Sequence, residues 1–175
     1  KYILIIFIFA TFPLYLFAVS PEDQTQLDLA KSLEKQAHDY YKQGRHAEGE
    51  QYLKRSLAIE EKILGTEHPD VTLSLHNLAY LYHKQGRSAE SEPLYKRALA
   101  IRERALGPEH PDVATSLGDL ASLYDDQGRY AEAEPLYKRS LTLYEKAFGP
   151  EHPSVANSLN NLAHFYEIQG RYAEA

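Results

Sequence analysis

Two hydrophobic patterns divide the chain. From Tyr2 to Val19 every residue except Thr11 and Pro13 is apolar, and beyond Ser20 the residues turn polar, with Pro21, Glu22, Asp23 and Gln24 in succession. The remainder mixes apolar and polar residues at helical spacing. Val71, Leu75, Leu78 and Tyr82 fall at i, i+4, i+7 and i+11, one face of one helix. Val113, Leu117, Leu120 and Tyr124 repeat the stripe, and so do Val155, Leu159, Leu162 and Tyr166. An earlier copy, Leu29, Leu33, Gln36 and Tyr40, carries a polar residue where Leu is expected and is degenerate.

The stripes recur because the chain does. Gln-Gly-Arg stands at Gly44, Gly86, Gly128 and Gly170, each 42 residues after the last, and Leu64 to Pro69 returns at Leu106 to Pro111 and, with Phe for Leu, at Phe148 to Pro153. Each Gln-Gly-Arg predicts the end of one helix and the start of another. In the second helix a small residue (Gly49, Ser91, Ala133) precedes a bulky one (Leu53, Tyr95, Tyr137) by four positions, a pairing that lets two helices approach closely. Gly86 suits a left-handed helix end, Gly107 closes the second helix before Pro108, and Pro111 with Asp112 suits a first turn, where proline's missing N–H costs nothing and a carboxylate meets the positive end of the helix dipole. The units are therefore helical hairpins at about 27–64, 69–106, 111–148 and 153–175, the last incomplete, within a repeat region of 21–175. A lone hairpin cannot bury its apolar face, so neighbours must stack.

The run Asn77-Leu78-Ala79-x-Leu81-Tyr82-x-x-Gln85-Gly86-Arg87-x-Ala89-Glu90-x-Glu92-Pro93-Leu94-Tyr95-Lys96-Arg97-Ala98-Leu99 resembles the tetratricopeptide repeat, in the long variant of kinesin light chains and many bacterial arrays. The family's signature positions fall on Leu120, Ala121, Tyr124, Gly128, Tyr130, Ala133, Tyr137 and, as a departure, Ser140. Gln36, His46, Gly49, Ser88 and Ser91 are further departures, and they predict looser packing of the first two units. The resemblance implies an all-α fold, tandem helix-turn-helix repeats stacked as a right-handed superhelical solenoid. It also implies a concave groove, lined by the first helices, that receives a peptide or protein segment without catalysis. On that side the family's positions correspond to Asn77, Tyr80, His83 and Lys84, then Asp119, Ser122, Asp125 and Asp126, then Asn161, His164 and Glu167. Asn77 and Asn161 each offer a donor and an acceptor to a ligand backbone, and Asp119 breaks that series.

Residues 1–20 change the picture only for location. Lys1, an apolar run and the small-residue end Ala18-Val19-Ser20 have the layout of a secretory signal peptide, an apolar leader helix ahead of the repeats. The run is also long enough to just span the hydrocarbon layer as an uncleaved anchor. Both readings place the repeats outside the cytoplasm, periplasmic or extracellular, with any membrane association through this segment alone.

Of 175 residues, 19 are Lys or Arg and 25 are Asp or Glu, a net charge of −6 that argues against a nucleic-acid binder. There is no Cys, so thiol chemistry and Cys-ligated zinc are excluded. His68, His110 and His152 recur in Glu-His-Pro, but one per repeat is too widely spaced for a shared metal, and they read as loop ends before helix-starting prolines. His38, His76, His83 and His164 form no ligand-spaced motif, no nucleophile elbow or phosphate loop occurs, and neither an active site nor a cofactor is expected. Tyr82, Tyr124 and Tyr166 read as core, and Lys96-Arg97 and Lys138-Arg139 as a solvated ridge of intrahelical charge pairs.

The expected function is a non-catalytic scaffold that binds a protein or peptide in the groove. The alternative is the regulatory or substrate-recruiting segment of a larger exported enzyme. Because 153–175 stops short of a full hairpin, the face of Leu159, Leu162 and Tyr166 is expected to lack cover, and self-association through it is a further reading.

Overall fold

The computed structural model describes residues 19–174, and the leader expected over residues 1–20 therefore lies almost wholly outside the described residues. Among the described residues there are seven α-helices and no strand: α1 (Pro21–Lys42), α2 (His46–Leu64), α3 (Val71–Lys84), α4 (Ser88–Leu106), α5 (Pro111–Asp126), α6 (Tyr130–Phe148) and α7 (Pro153–Ile168).

The helix ends are set by side chains that the repeat supplies. The imidazole Nδ1 of His110 accepts the N–H of Asp112 at 3.1 Å, that of His152 accepts the N–H of Ser154 at 3.2 Å, and that of His68 accepts the N–H of Asp70 at 3.2 Å. The Glu-His-Pro histidines thus satisfy orphan donors at the starts of the first helices. At the other end Gly86 takes φ +71°, and the Arg87 N–H reaches back to the Tyr82 carbonyl at 2.9 Å, closing a six-residue turn that an L side chain at Gly86 would strain. The same bond is made by Arg45, Arg129 and Arg171.

Hairpins α1–α2, α3–α4 and α5–α6 stack so that α2 packs on α3, α4 on α5 and α6 on α7, a solenoid of the tetratricopeptide kind. The expected stripes form its core: Val71, Leu75, Leu78 and Tyr82, then Val113, Leu117, Leu120 and Tyr124, are all buried. In the first unit Leu33 is buried while Gln36 is exposed, and Ala30 and Ala37 complete the buried face. In the fourth, Leu159 is 46% exposed, as expected of a helix that no later helix covers among the described residues. Tyr166 departs from that expectation and is buried, because Phe165 packs beside it and the Arg171 guanidinium lies 4.6 Å over its ring.

The expectation of looser packing in the first two units is not met. Gly49 is buried so close to α1 that a Cβ there would stand 3.1 Å from the Ala37 carbonyl oxygen. Ser91 is buried with its hydroxyl donating to the Ala79 carbonyl at 2.8 Å. Ser140 likewise donates to Ala114 at 2.7 Å, as Ser56 does to Ala30 at 2.9 Å. Each serine fits a site meant for alanine because a helix carbonyl with a spare lone pair faces it.

Successive units are tied by a charge lattice that repeats with the sequence. Glu50 of α2 receives Arg87, Glu92 of α4 receives Arg129 and Glu134 of α6 receives Arg171, at 2.5, 2.8 and 2.7 Å. Each Arg also grips the Glu three residues on (Glu90, Glu132, Glu174) and lies over the preceding Tyr ring, at 4.2 Å for Tyr82 and 3.9 Å for Tyr124. Each Glu further accepts the same tyrosine's hydroxyl and pairs with the Lys four residues on, as Glu92 does with Tyr124 at 3.1 Å and Lys96 at 2.6 Å. These cations hold the carboxyls of Glu50, Glu92 and Glu134 down at about 2. The Arg97 and Arg139 side chains, expected to sit on an intrahelical ridge, instead cross to the preceding unit, at 2.5 Å from Glu61 and 2.7 Å from Glu103.

Candidate peptide-binding face

Two residues on from the buried stripe, about 200° around each helix, runs a second stripe that solvent reaches. On α3 it is Leu73, Asn77, Tyr80 and Lys84. The 42-residue period places Lys31, Lys35, His38 and Lys42 on α1, Thr115, Asp119, Ser122 and Asp126 on α5, and Asn157, Asn161, His164 and Ile168 on α7. All sixteen are exposed or half-buried. The first helices adjoin across this face: the Ser74 hydroxyl of α3 donates to Glu34 of α1 at 2.6 Å, and His76 Nδ1 lies 3.0 Å from Asp119 of α5.

Of the pockets that open along it, two hold anticipated groove residues. One of about 420 Å³ lies between α1 and α3, with Lys31, Lys35, His38, Asn77 and Tyr80 around it and the buried Ala37 and Leu53 beneath. The second, about 250 Å³, lies between α5 and α7, with Thr115, Asp119, Ser122, Asn157 and Asn161 around buried Tyr137 and Ser140. Both pockets have polar rims. The hydroxyl and amide groups at their rims suit hydrogen bonds to a polypeptide backbone and leave its side chains free.

The anticipated groove residues are thus brought together in part. Asn77 and Tyr80 line the first pocket, and Asp119, Ser122 and Asn161 the second. Lys84 stands exposed with its ammonium 5.4 Å from the Tyr80 ring. His164 and Glu167 are exposed on α7. His83 is not open to a ligand: it is 8% exposed, its ring is edge-on to Tyr95, and its Nε2 lies 2.7 Å from Asp126 Oδ2. Its burial follows from the neighbouring repeat, whose α5 closes over it. Asp125 is half-buried beside Asp126, and burial, then the Asp126 carboxylate, raise its carboxyl above the ordinary range. Burial likewise pushes up the phenols of Tyr95 and Tyr137 beneath the face.

The side chains missed by sequence reasoning are those of α1, namely Lys31 and Lys35, which join His38 there. Those lysines lie 42 residues before Leu73 and Asn77, and Asn157 lies 42 after Thr115, so the period itself was the signal. Among the described residues, no group of three or more His, Asp and Glu side chains could hold a metal ion, and no helix is long and apolar enough to cross a membrane.

The repeating hairpin, its caps and its open polar face define a helical-repeat class whose members work through surfaces. The tetratricopeptide repeat pattern matches residues 28–103, 72–146 and 122–175, and the chain belongs to the tetratricopeptide repeat family. Its fold is similar to that of BtubC (BKLC) from P. vanneervenii, with a TM-score of 0.76 at 21% identity over 84% of this chain and 59% of that one. A kinesin-light-chain-like protein of nearly identical TPR-like repeats from Podosopora anserina is 32% identical, with a TM-score of 0.74 over 83% of this chain and 69% of that one. A variant of the latter gives 30% identity and a TM-score of 0.68, over 91% and 73% of the two chains. The chain therefore spans between 59% and 73% of the length of these structures. No curated protein matches it in sequence. Repeats of this family generally mediate protein–protein interaction.

Proposed function

We propose that the chain is a non-catalytic interaction module that holds an extended polypeptide segment along the face made by α1, α3, α5 and α7. The observation that supports this most is the pair of pockets on one face, each rimmed by an asparagine, Asn77 in one and Asn161 in the other. A carboxamide offers both a donor and an acceptor, so it can bond a peptide group without reading the side chain beyond it. The pockets sit on a layer stiffened by the Glu-Arg-Tyr lattice, so little ordering of the protein opposes binding. Location outside the cytoplasm is part of the same proposal, and it rests on Lys1 and the apolar run from Tyr2 to Val19.

A pull-down from an extract of the source organism tests the face. Asn77→Ala with Asn161→Ala should lose the partner while keeping the wild-type helical spectrum. Lys96→Ala with Lys138→Ala, on the second helices, should retain it. Retention by the first variant and loss by the second would move the contact to the opposite surface.

A further inference from the structure

The open stripe is electrically polarised along the solenoid. On α1 it carries Lys31, Lys35 and Lys42, on α3 Lys84, on α5 Asp119 and Asp126, and on α7 no Lys, Arg, Asp or Glu. The lysines are partly offset: Asp28 stands 3.9 Å from Lys31, and Glu34, which accepts the Ser74 hydroxyl, shares the pocket with Lys31 and Lys35, but among the described residues no carboxylate lies within 4 Å of the Lys35, Lys42 or Lys84 ammonium. At the other end Asp126 is 67% exposed, and the nitrogens nearest the two aspartates belong to His83 and His76 rather than to a Lys or Arg. Opposite charges thus face the same groove on first helices separated by one intervening first helix, about 20 Å at ordinary helix-packing distances. Six extended residues span that distance, at about 3.3 Å each.

We propose that the occupant of this face is an extended polypeptide segment with segregated charge, its carboxylates over α1 and its Lys or Arg side chains over α5, about six residues apart. The proposal rests on the groove reading above and sharpens it to a partner chemistry. A uniformly acidic segment would meet Asp119 and Asp126, and a uniformly basic one would meet the lysines of α1, so only the segregated segment gains at both ends.

Fluorescence anisotropy of the full chain with labelled synthetic peptides tests it. The probes share one length: a peptide with a Glu block and a Lys block, a peptide of the same composition with Glu and Lys alternating, and an all-acidic peptide. The segregated peptide should bind about tenfold tighter than the alternating one, with the difference shrinking as salt approaches about 0.5 M. Lys35→Glu and Asp126→Lys should each weaken the segregated peptide by about threefold or more, whereas Asp126→Lys should strengthen the all-acidic one. Equal binding of segregated and alternating peptides, weakened by Asn77→Ala, would overturn the charge assignment and leave the groove in place. Binding that no variant on this face alters, or no binding at all, would overturn both. Doubling of the 20.0 kDa mass, reversed by Lys35→Glu, would assign the polarised face to a second copy of the chain instead.

Discussion

Glu92→Gln isolates what ties one repeat to the next. In the wild type the Glu92 carboxylate is bonded to Arg129 at 2.8 Å, Tyr124 at 3.1 Å and Lys96 at 2.6 Å, and its side chain is 22% exposed. An amide keeps one acceptor oxygen and turns an NH2 group toward a cation, so at least one charge-assisted bond is lost. Such bonds contribute about 1.5–3 kcal/mol when desolvated, and exposed ion pairs contribute about 0–1 kcal/mol. A partly exposed carboxylate in a network falls between, at about 1–2 kcal/mol. For a chain of this length that lowers the melting temperature by about 3–6 °C, read by circular dichroism at pH 7.

The pH dependence supplies an independent check. The Glu92 carboxyl is held at about 2 in the fold, mainly by Lys96 and then Arg129, against an ordinary value of 4.5. A depressed folded value means that the unfolded chain binds the proton first. The contribution is therefore full above pH 4.5 and fades as pH falls from 4.5 toward 2. The gap in melting temperature between wild type and Glu92→Gln should accordingly close over that window. A variant that melts with the wild type at pH 7, or a gap that persists unchanged at pH 2, would refute the lattice as an electrostatic tie.

Other expectations concern backbone and packing. Gly86→Ala meets no atom within 4 Å, so its cost is that of φ +71° alone, about 1 kcal/mol in a denaturant titration. Ala121→Leu places a large side chain at a fully buried position and should cost about 1–3 kcal/mol, whereas Asn77→Ala, at the rim of the groove, should change stability by no more than about 0.5 kcal/mol. The reverse order in thermal melts would mean the buried and open faces are exchanged. Ser140→Ala removes a buried 2.7 Å bond to the Ala114 carbonyl and should cost about 1 kcal/mol in a denaturant titration.

What was legible in the sequence was what one helix or one turn determines. The stripe of Val113, Leu117, Leu120 and Tyr124 needs only the helical period, and the Gly86 and His110 helix ends need only local hydrogen bonding. Features that depend on which helices adjoin were harder to read. Arg87 and Glu50 are 37 residues apart, and nothing in either neighbourhood says that they meet, although both recur at the period of 42. His83 sits beside the groove positions on α3 yet is covered by α5, which only the stacking of units reveals. Ser91 read as a departure from tight packing and Ser140 as a departure from the family signature because a composition rule cannot see the carbonyls of Ala79 and Ala114 opposite them. Lys31 and Lys35 belong to the degenerate first unit, whose broken stripe obscured that its open face keeps the register.

Site-specific photo-crosslinking tests the central claim most directly. A photoreactive amino acid is placed at Tyr80 or Ser122 on the open face, or at Lys96 or Lys138 on the second helices, and the chain is irradiated in extract of the source organism. A partner captured from Tyr80 and Ser122 but not from Lys96 or Lys138 is the predicted result. Capture from the second helices, with none from Tyr80 or Ser122, would contradict the account.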